Sequence, residues 1–211
     1  MNYFDHNYLS NSKLSEFGKE IGLLNNYNTK DPTDNFRLGT LFDYLTTDLG
    51  KLDILNNKMI GTDYLFSDDD LKMFKLLHKN LLKENRYKTI LSLNPNYQFE
   101  IFKENFTLNN ETYPVNFKAK LDIFIRNWVI DIKTTKCTTQ SQFEVICHEF
   151  GYFRQMLFYM NLTGARMSTL VGCSKKNNKI FFVDFSNSHA LYNENLTMCK
   201  KLLNKYYLLC N

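Results

Sequence analysis

Three charged side chains near the middle of the chain have the types and the spacing for chemistry on a phosphate. If Arg126 and Asn127 form the turn of a β-hairpin, Asp122 lies directly opposite Asp131. Carboxylates that face each other across a ladder repel, so this pair needs a shared proton or a bound cation. Lys133 lies on the same face as Asp131, because successive residues of a strand point to opposite faces. Two acids and a lysine are therefore predicted to share one small volume beside the sheet.

Paired carboxylate oxygens are typical ligands of Mg²⁺ or Mn²⁺, which keep several waters and share the phosphates of a substrate. A bound cation acidifies and orients a water and stabilises the charge that develops during hydrolysis. A lysine beside that water can neutralise developing charge. The residues thus indicate a divalent cation site suited to hydrolysis of a phosphate ester.

The strands that must position these side chains follow from hydrophobic periodicity. After Pro95 the period changes from helical to alternating, beginning with Tyr97-Gln98-Phe99-Glu100-Ile101. A long strand follows, and on one face we expect its apolar residues Val115, Phe117, Ala119, Leu121, Ile123 and Ile125. The other face is expected to carry Asn116, Lys118, Lys120, Asp122 and Phe124. Trp128 to Lys133 form the next strand, after the Arg126-Asn127 turn.

The rest of the chain supplies helices and two further strands. The pattern predicts a helix over about 140–162, strands near 168–173 and 179–184, and a closing helix over about 189–209. The first third is predicted to be helical, with helices over about 36–47 and after Ser67, whose three following Asp residues fit an N-terminal cap better than a metal cluster. We therefore expect one domain of α/β class, with a helical N-terminal part over 1–90 and a core over 91–211.

Composition excludes several classes of protein. The chain has 211 residues, of which 44% are hydrophobic and 23% charged, so wholesale disorder is excluded. Its formal net charge of +4 allows a polyanionic partner without requiring one. The five cysteines show no paired spacing, which favours reduced thiols and a cytoplasmic protein over a disulfide framework or a structural zinc site. We expect no signal peptide at the start and no membrane-spanning segment.

Several motifs, in this order along the chain, resemble the PD-(D/E)xK nuclease superfamily, and most closely its RecB-like and RecE-like (exonuclease VIII-type) branch. The hairpin supplies Lys120-Leu121-Asp122 and then the run WVIDIKTT over 128–135. The helix after it carries Tyr152, Gln155 and Tyr159 at the spacing of the Tyr-x-x-Gln-x-x-x-Tyr signature of that branch. Upstream, the runs YLSNSKL over 8–14 and RLGTLFD over 37–43 resemble two further motifs of phage members.

The resemblance implies a restriction-endonuclease-like core, in which helices flank a central mixed β-sheet, and it implies roles for single residues. Its metal ligands would be Asp122, Asp131, the backbone carbonyl of Ile132, and Asp43, which stands where the branch usually has a histidine. Its catalytic groups would include Lys133, which activates or positions the attacking water, and Glu100 as an additional acid. Its substrate-binding residues would be Tyr152, Gln155 and Tyr159. The cofactor would be Mg²⁺ or Mn²⁺.

The function that the resemblance implies is a metal-dependent DNA nuclease, most like a phage RecE-type exonuclease that resects linear duplex ends 5′ to 3′ in recombination. It also implies a ring-like homo-oligomer, a single-strand annealing protein as partner, and the cytoplasm of a bacterial host. The alternative is a degenerate nuclease fold that binds DNA or a protein without cutting. In that case Asp43 is a solvated helix position, and the Tyr152, Gln155 and Tyr159 stripe is an ordinary packed face. An iron-sulfur RecB-type nuclease is disfavoured, because it needs a cysteine before the core and none precedes Cys137.

Overall fold

The fold is built around a mixed sheet whose strands lie between residues 96 and 186. The computed structural model describes residues 8–25 and 32–210, the side chains of 32–36 excepted. Within this part the helices are α1 Asn11–Glu20, α2 Pro32–Thr47, α3 Asp68–Leu81, α4 Asn85–Ser92, α5 Gln140–Glu149, α6 Tyr152–Thr163 and α7 Tyr192–Cys210. The strands are β1 Leu52–Asp53, β2 Lys58–Met59, β3 Asn96–Lys103, β4 Thr107–Leu108, β5 Glu111–Thr112, β6 Phe117–Ile125, β7 Trp128–Thr135, β8 Met167–Ser174 and β9 Ile180–Ser186.

The main sheet has the strand order β3-β6-β7-β8-β9. Its neighbours are antiparallel except β7 and β8, which are parallel and are connected through α5 and α6. Two short hairpins, β1-β2 and β4-β5, lie outside this sheet. Helices therefore flank a central mixed sheet, and the predicted α/β class is confirmed.

The single helix predicted over about 140–162 is wrong, because the structure has two helices there. α5 is capped by Phe150, and Gly151 has the left-handed backbone angle φ +71° before α6 begins. Glycine adopts this angle without the steric cost that a Cβ imposes. The break turns α6 into a separate element that starts beside the sheet at Tyr152.

The prediction that the apolar residues of β6 share one face is also wrong. Leu121 belongs to the core formed with α6 and α7, whereas Ile123 belongs to the core formed with α2, α3 and α4. These cores cover opposite faces of the sheet, because the successive residues Leu170 and Val171 are divided between them. The strand thus changes face at Asp122.

The hairpin between β6 and β7 has the predicted register, but its ladder is short. Ile123 pairs with Ile130 and Ile125 with Trp128, and no pair beyond Ile130 is formed in this ladder. At its other end β6 pairs with β3 on one edge and with Leu9 on the edge that faces β7. The two strands therefore part beyond the Ile123–Ile130 pair and leave an opening between them, at Asp122 and Asp131.

Candidate active site

Asp131 and Lys133 form a close ion pair on β7. The Lys133 Nζ lies 2.6 Å from the Asp131 Oδ2, as expected for alternate residues on one face of a strand. Asp131 is only 2% exposed, and the Lys133 side chain is 22% exposed. Among the described residues the Asp131 Oδ2 has no hydrogen-bond partner, because its contact with Lys133 lacks hydrogen-bond geometry. A buried oxygen of this kind can accept a cation.

Asp122 closes the opened ladder with its side chain. Its Oδ2 accepts a hydrogen bond of 2.7 Å from the backbone N–H of Ile132, a donor that would otherwise need the backbone of β6. The N–H and C=O of one strand residue point to the same side, so the Ile132 carbonyl faces the same opening. The structure therefore brings together the two aspartates and the carbonyl that sequence reasoning nominated as metal ligands.

The electrostatics of the opening favour an added positive charge. Burial raises the pKa of Asp122 well above its ordinary value, and the nearby charges of Asp131 and Asp43 raise it further. Burial lowers the pKa of Lys133, but the charges of Asp131 and Asp122 outweigh it and raise the pKa overall. Three carboxylates with one lysine leave an excess of negative charge, which a proton or a cation would neutralise.

Asp43 reaches the same region from α2. Burial raises its pKa, and the charge of Asp131 acts in the same direction. The carboxylate accepts hydrogen bonds from the Gln98 Nε2, at 3.1 and 3.0 Å to its two oxygens, and lies 3.0 Å from the Thr47 Oγ1. Sequence reasoning missed Gln98 and Thr47. The alternation of β3 marks Gln98 only as a polar position, and no local pattern links Thr47 to the sheet.

The predicted substrate-binding residues of α6 border the ion pair. The Lys133 Nζ lies 5.2 Å from the centre of the Tyr152 ring, within cation–π distance. The Gln155 Nε2 donates a hydrogen bond of 2.7 Å to the Tyr159 hydroxyl. Burial raises the pKa of Tyr159, and the charge of Asp131 adds to that effect. The stripe read from the sequence thus lies next to the acids, and its role in binding substrate stays a prediction.

Glu100 lies elsewhere on the sheet. It pairs in register with Lys120, and its Oε1 lies 3.5 Å from the Lys120 Nζ, with both side chains about a third exposed. On β3 the residue in contact with the acids is Gln98, which stands between the Tyr97–Ile123 and Phe99–Leu121 pairs. The part of Glu100 as an additional acid stays a prediction.

A cavity of about 440 Å³ opens beside the site, between the start of α1 and β6. Three lysines are among its lining residues, which are Ser10, Asn11, Ser12, Lys13, Lys118, Ala119, Lys120 and Tyr159. Tyr159 thus connects the cavity to the α6 side of the site.

No helix of the described residues is long and apolar enough to cross a membrane.

The donor set fits a divalent cation only in part. In the described part of the chain, no three His, Cys, Asp or Glu side chains are already arranged around a metal position. The oxygens that face the opening are nevertheless the hard ligands that Mg²⁺ and Mn²⁺ prefer, and one of them is buried without a hydrogen bond. Asp122, Asp131 and the Ile132 carbonyl would hold the ion, and Asp43 is the candidate for a further ligand. A bound ion would acidify a water and stabilise negative charge on a phosphate.

A comparison with known families finds a match over the part of the chain that holds the centre of this site. Residues 99–183 match a family model described as a PDDEXK-like domain of unknown function (DUF3799). This stretch of the chain is therefore similar to a PDDEXK-like domain. It includes Asp122, Asp131 and Lys133 and extends through α5 and α6 to β9, whereas Asp43 and α1 lie outside it. A search of curated proteins found no match.

Several solved structures are similar at low sequence identity. The crystal structure of SSO0001 is 17% identical, with a TM-score of 0.38, over 65% of this chain and 58% of that one. A phage-related exonuclease from Haemophilus somnus 129PT is 14% identical, with a TM-score of 0.46, over 97% of this chain and 95% of that one. The alkaline exonuclease LHK-Exo from Laribacter hongkongensis is 17% identical, with a TM-score of 0.38, over 94% of this chain and 87% of that one. This chain therefore spans 58% of the length of SSO0001, and its function has to rest on its own residues.

Proposed function

We propose that the protein is a metal-dependent DNA nuclease, and specifically a phage RecE-like exonuclease that resects linear duplex ends 5′ to 3′ in recombination. One observation carries the proposal: Asp122, Asp131 and Lys133 converge where β6 and β7 part. The PDDEXK-like domain over 99–183 supports the nuclease class. Polarity and duplex preference come from the resemblance of the sequence motifs to that branch.

Each of the three side chains has a part in the proposed reaction. Asp122 and Asp131 would hold Mg²⁺ or Mn²⁺, which would acidify a water and stabilise charge on the phosphate. Lys133 keeps its charge at neutral pH, because the two acids raise its pKa. Its ammonium group can orient the attacking water and neutralise charge on the phosphate as the P–O bond breaks. Tyr152 limits the movement of this ammonium group by packing its ring against it.

The lysine-lined cavity gives the DNA backbone a path to the site. Lys13, Lys118 and Lys120 line it with the N-terminal turn of α1, whose backbone N–H groups also favour anions. The net charge of +4 is modest, but only the surface along the DNA needs to be basic. Tyr159 of α6 is one of the lining residues, so a strand bound in the cavity passes close to α6.

The direct test is digestion of end-labelled linear duplex DNA with Mg²⁺, comparing the wild type with Lys133→Ala. We expect the wild type to shorten the duplex progressively and the variant to be slower by about 100-fold or more, the scale of losing one transition-state charge contact. Lys75→Ala, on the exposed face of α3, is the matched control and should retain full activity. Equal rates for wild type and Lys133→Ala would remove Lys133 from the mechanism.

The finer parts of the proposal need separate substrates. Labels at the 5′ and the 3′ end report polarity, and covalently closed circles separate exonuclease from endonuclease activity. A ring-like homo-oligomer, a single-strand annealing protein as partner and the cytoplasm of a bacterial host belong to the same proposal. Light scattering coupled to gel filtration tests the first of these.

A second candidate is a nuclease fold that binds DNA without cutting it. The observation that favours it is the arrangement of the acids: the described residues hold no ready group of three metal ligands, and Asp43 is engaged by Gln98. Thermal melts across a Mg²⁺ or Mn²⁺ titration discriminate the two. A cation-binding site raises the melting temperature by mass action, whereas an unchanged melting temperature in millimolar metal would favour the binding-only function.

A further inference from the structure

Gln98 has a backbone conformation that a strand residue avoids. It lies inside β3, yet its φ is +50°, in the left-handed region that only glycine enters without steric cost. The pairs Tyr97–Ile123 and Phe99–Leu121 flank it in unbroken register, so Asp122 is the residue across from it on β6. Backbone strain of this kind persists where the surrounding structure holds it in place, and it is frequent at functional sites.

The strained backbone places the Gln98 amide against α2. Its Nε2 lies 3.1 and 3.0 Å from the two carboxylate oxygens of Asp43 and 2.7 Å from the Thr47 Oγ1. The group that faces two carboxylate oxygens must be the NH₂ of the amide, because the amide oxygen would repel both. Asp43 is thus fixed by side chains from two different elements.

Thr47 completes the arrangement from one turn along α2. Its Oγ1 lies 2.8 Å from the Asp43 backbone carbonyl and 3.0 Å from the Asp43 Oδ1, so it is held on the helix while it accepts from Gln98. A carboxylate offers about four lone-pair positions. Gln98 and Thr47 together use two or three of them, which leaves one or two, including one on the Asp43 Oδ2, for a further partner.

We propose that Gln98 and Thr47 are positioning residues that hold Asp43 as a ligand of the divalent cation. This inference rests on the proposed function, since it assumes an ion between Asp122 and Asp131. Side chains that hydrogen-bond a metal ligand fix its orientation, and their loss typically weakens metal binding by about 10- to 100-fold. Because Asp43 comes from another element than Asp122 and Asp131, without such a hold its carboxylate could turn away from the opening.

The test is Mn²⁺ binding to the full chain, followed by electron paramagnetic resonance at neutral pH. We expect Gln98→Leu to raise the Kd for Mn²⁺ by about 10-fold or more. Thr47→Val, which keeps the shape but removes the hydroxyl, should also raise it, and Thr47→Ser should restore binding close to that of the wild type. Gln142→Leu is the matched control, because Gln142 accepts hydrogen bonds from Thr138 in an exposed position and should bind as the wild type does.

Gln98→Gly separates positioning from a purely structural role. Glycine tolerates φ +50°, so this variant should fold and melt at or above the wild-type temperature while it binds Mn²⁺ as weakly as Gln98→Leu. Wild-type binding in Gln98→Leu and Gln98→Gly would overturn the inference.

Asp131→Asn distinguishes this failure from failure of the proposed function. If Asp131→Asn loses Mn²⁺ binding and the Gln98 variants do not, the cation site stands and only the positioning role is wrong. If Asp131→Asn also binds as the wild type does, both the cation site and the inference built on it are wrong.

Discussion

The ion pair on β7 allows a quantitative prediction about the metal-free protein. In Lys133→Met the 2%-exposed Asp131 keeps its position, but it loses the ammonium group that lay 2.6 Å away and retains Asp122 as a like-charged neighbour. Removing one partner of a buried pair costs about 3–5 kcal/mol.

Because Lys133 is partly exposed, we expect a somewhat smaller loss, of about 2–4 kcal/mol in the free energy of unfolding. For a domain of this size that corresponds to a fall in melting temperature of about 4–16 °C. Urea unfolding in EDTA at pH 7 measures it. Lys136→Met, an exposed position just past the end of β7, is the control and should change stability by no more than about 0.5 kcal/mol.

The pH dependence of the same comparison tests the cause. At about pH 4 the acids take up protons more readily, so the cost of Lys133→Met should shrink. A double-mutant cycle with Asp131→Asn should show strong coupling, because the amide removes the charge that the lysine neutralises. If Lys133→Met is as stable as the wild type in EDTA at pH 7, the ion pair does not stabilise the fold and the reasoning is refuted.

Two further predictions concern the charges and the helix break. The pKa values of Asp122 and Asp43 are raised above their ordinary 3.8, so the folded protein binds protons more tightly than the unfolded one. The stability of the metal-free protein should therefore fall as the pH rises from 3.8 through these raised pKa values. Thermal melts at a series of pH values should show this fall, and Mg²⁺ or Asp122→Asn should reduce it. Gly151→Ala should destabilise by about 2 kcal/mol, because φ is +71° and the new Cβ would meet the guanidinium of Arg154. Gly164→Ala, at φ +72° with open space around it, should lose only about 1 kcal/mol in urea unfolding.

The register of the hairpin was predicted from one assumption, that Arg126 and Asn127 form a two-residue turn. Ile123 pairs with Ile130 and Ile125 with Trp128, as that turn requires. Alternation also placed Lys133 beside Asp131. Both results depend on neighbours within one strand or one hairpin, where sequence distance and spatial distance match.

The change of face in β6 could not be predicted in the same way. The residues before and after Asp122 keep their alternation in the sequence, and only the left-handed conformation of Gln98 on the neighbouring strand accompanies the switch. Glutamine has no preference for that conformation, so nothing local marks it. The break at Gly151 was ambiguous for a related reason, since one glycine costs a helix only about 1 kcal/mol and does not decide where it ends.

The place of Asp43 depends on tertiary structure alone. Asp43 precedes Asp131 by 88 residues in the sequence, and only the resemblance to known nucleases pointed to it. Asp43 can approach Asp122 and Asp131 because α2 packs on the face of the sheet that carries Ile123, Ile130 and Ile132. Ile123 lies on that face because β6 changes face at Asp122. The same change of face that made the predicted pattern of β6 wrong therefore also helps to bring Asp43 close to Asp122 and Asp131.

The opening between β6 and β7 gives Asp122 two tasks that ordinarily conflict. A ladder that stops early leaves a backbone N–H without a partner, and an unpaired buried donor is costly. Asp122 satisfies the Ile132 N–H with one oxygen, so the strands can part at a position where a fully paired sheet would have no room for a ligand. The same carboxylate repels Asp131, and this repulsion favours a cation in the opening. The Asp122 carboxylate therefore offsets the cost of the opening to the fold, and in the proposed function the same carboxylate binds the metal.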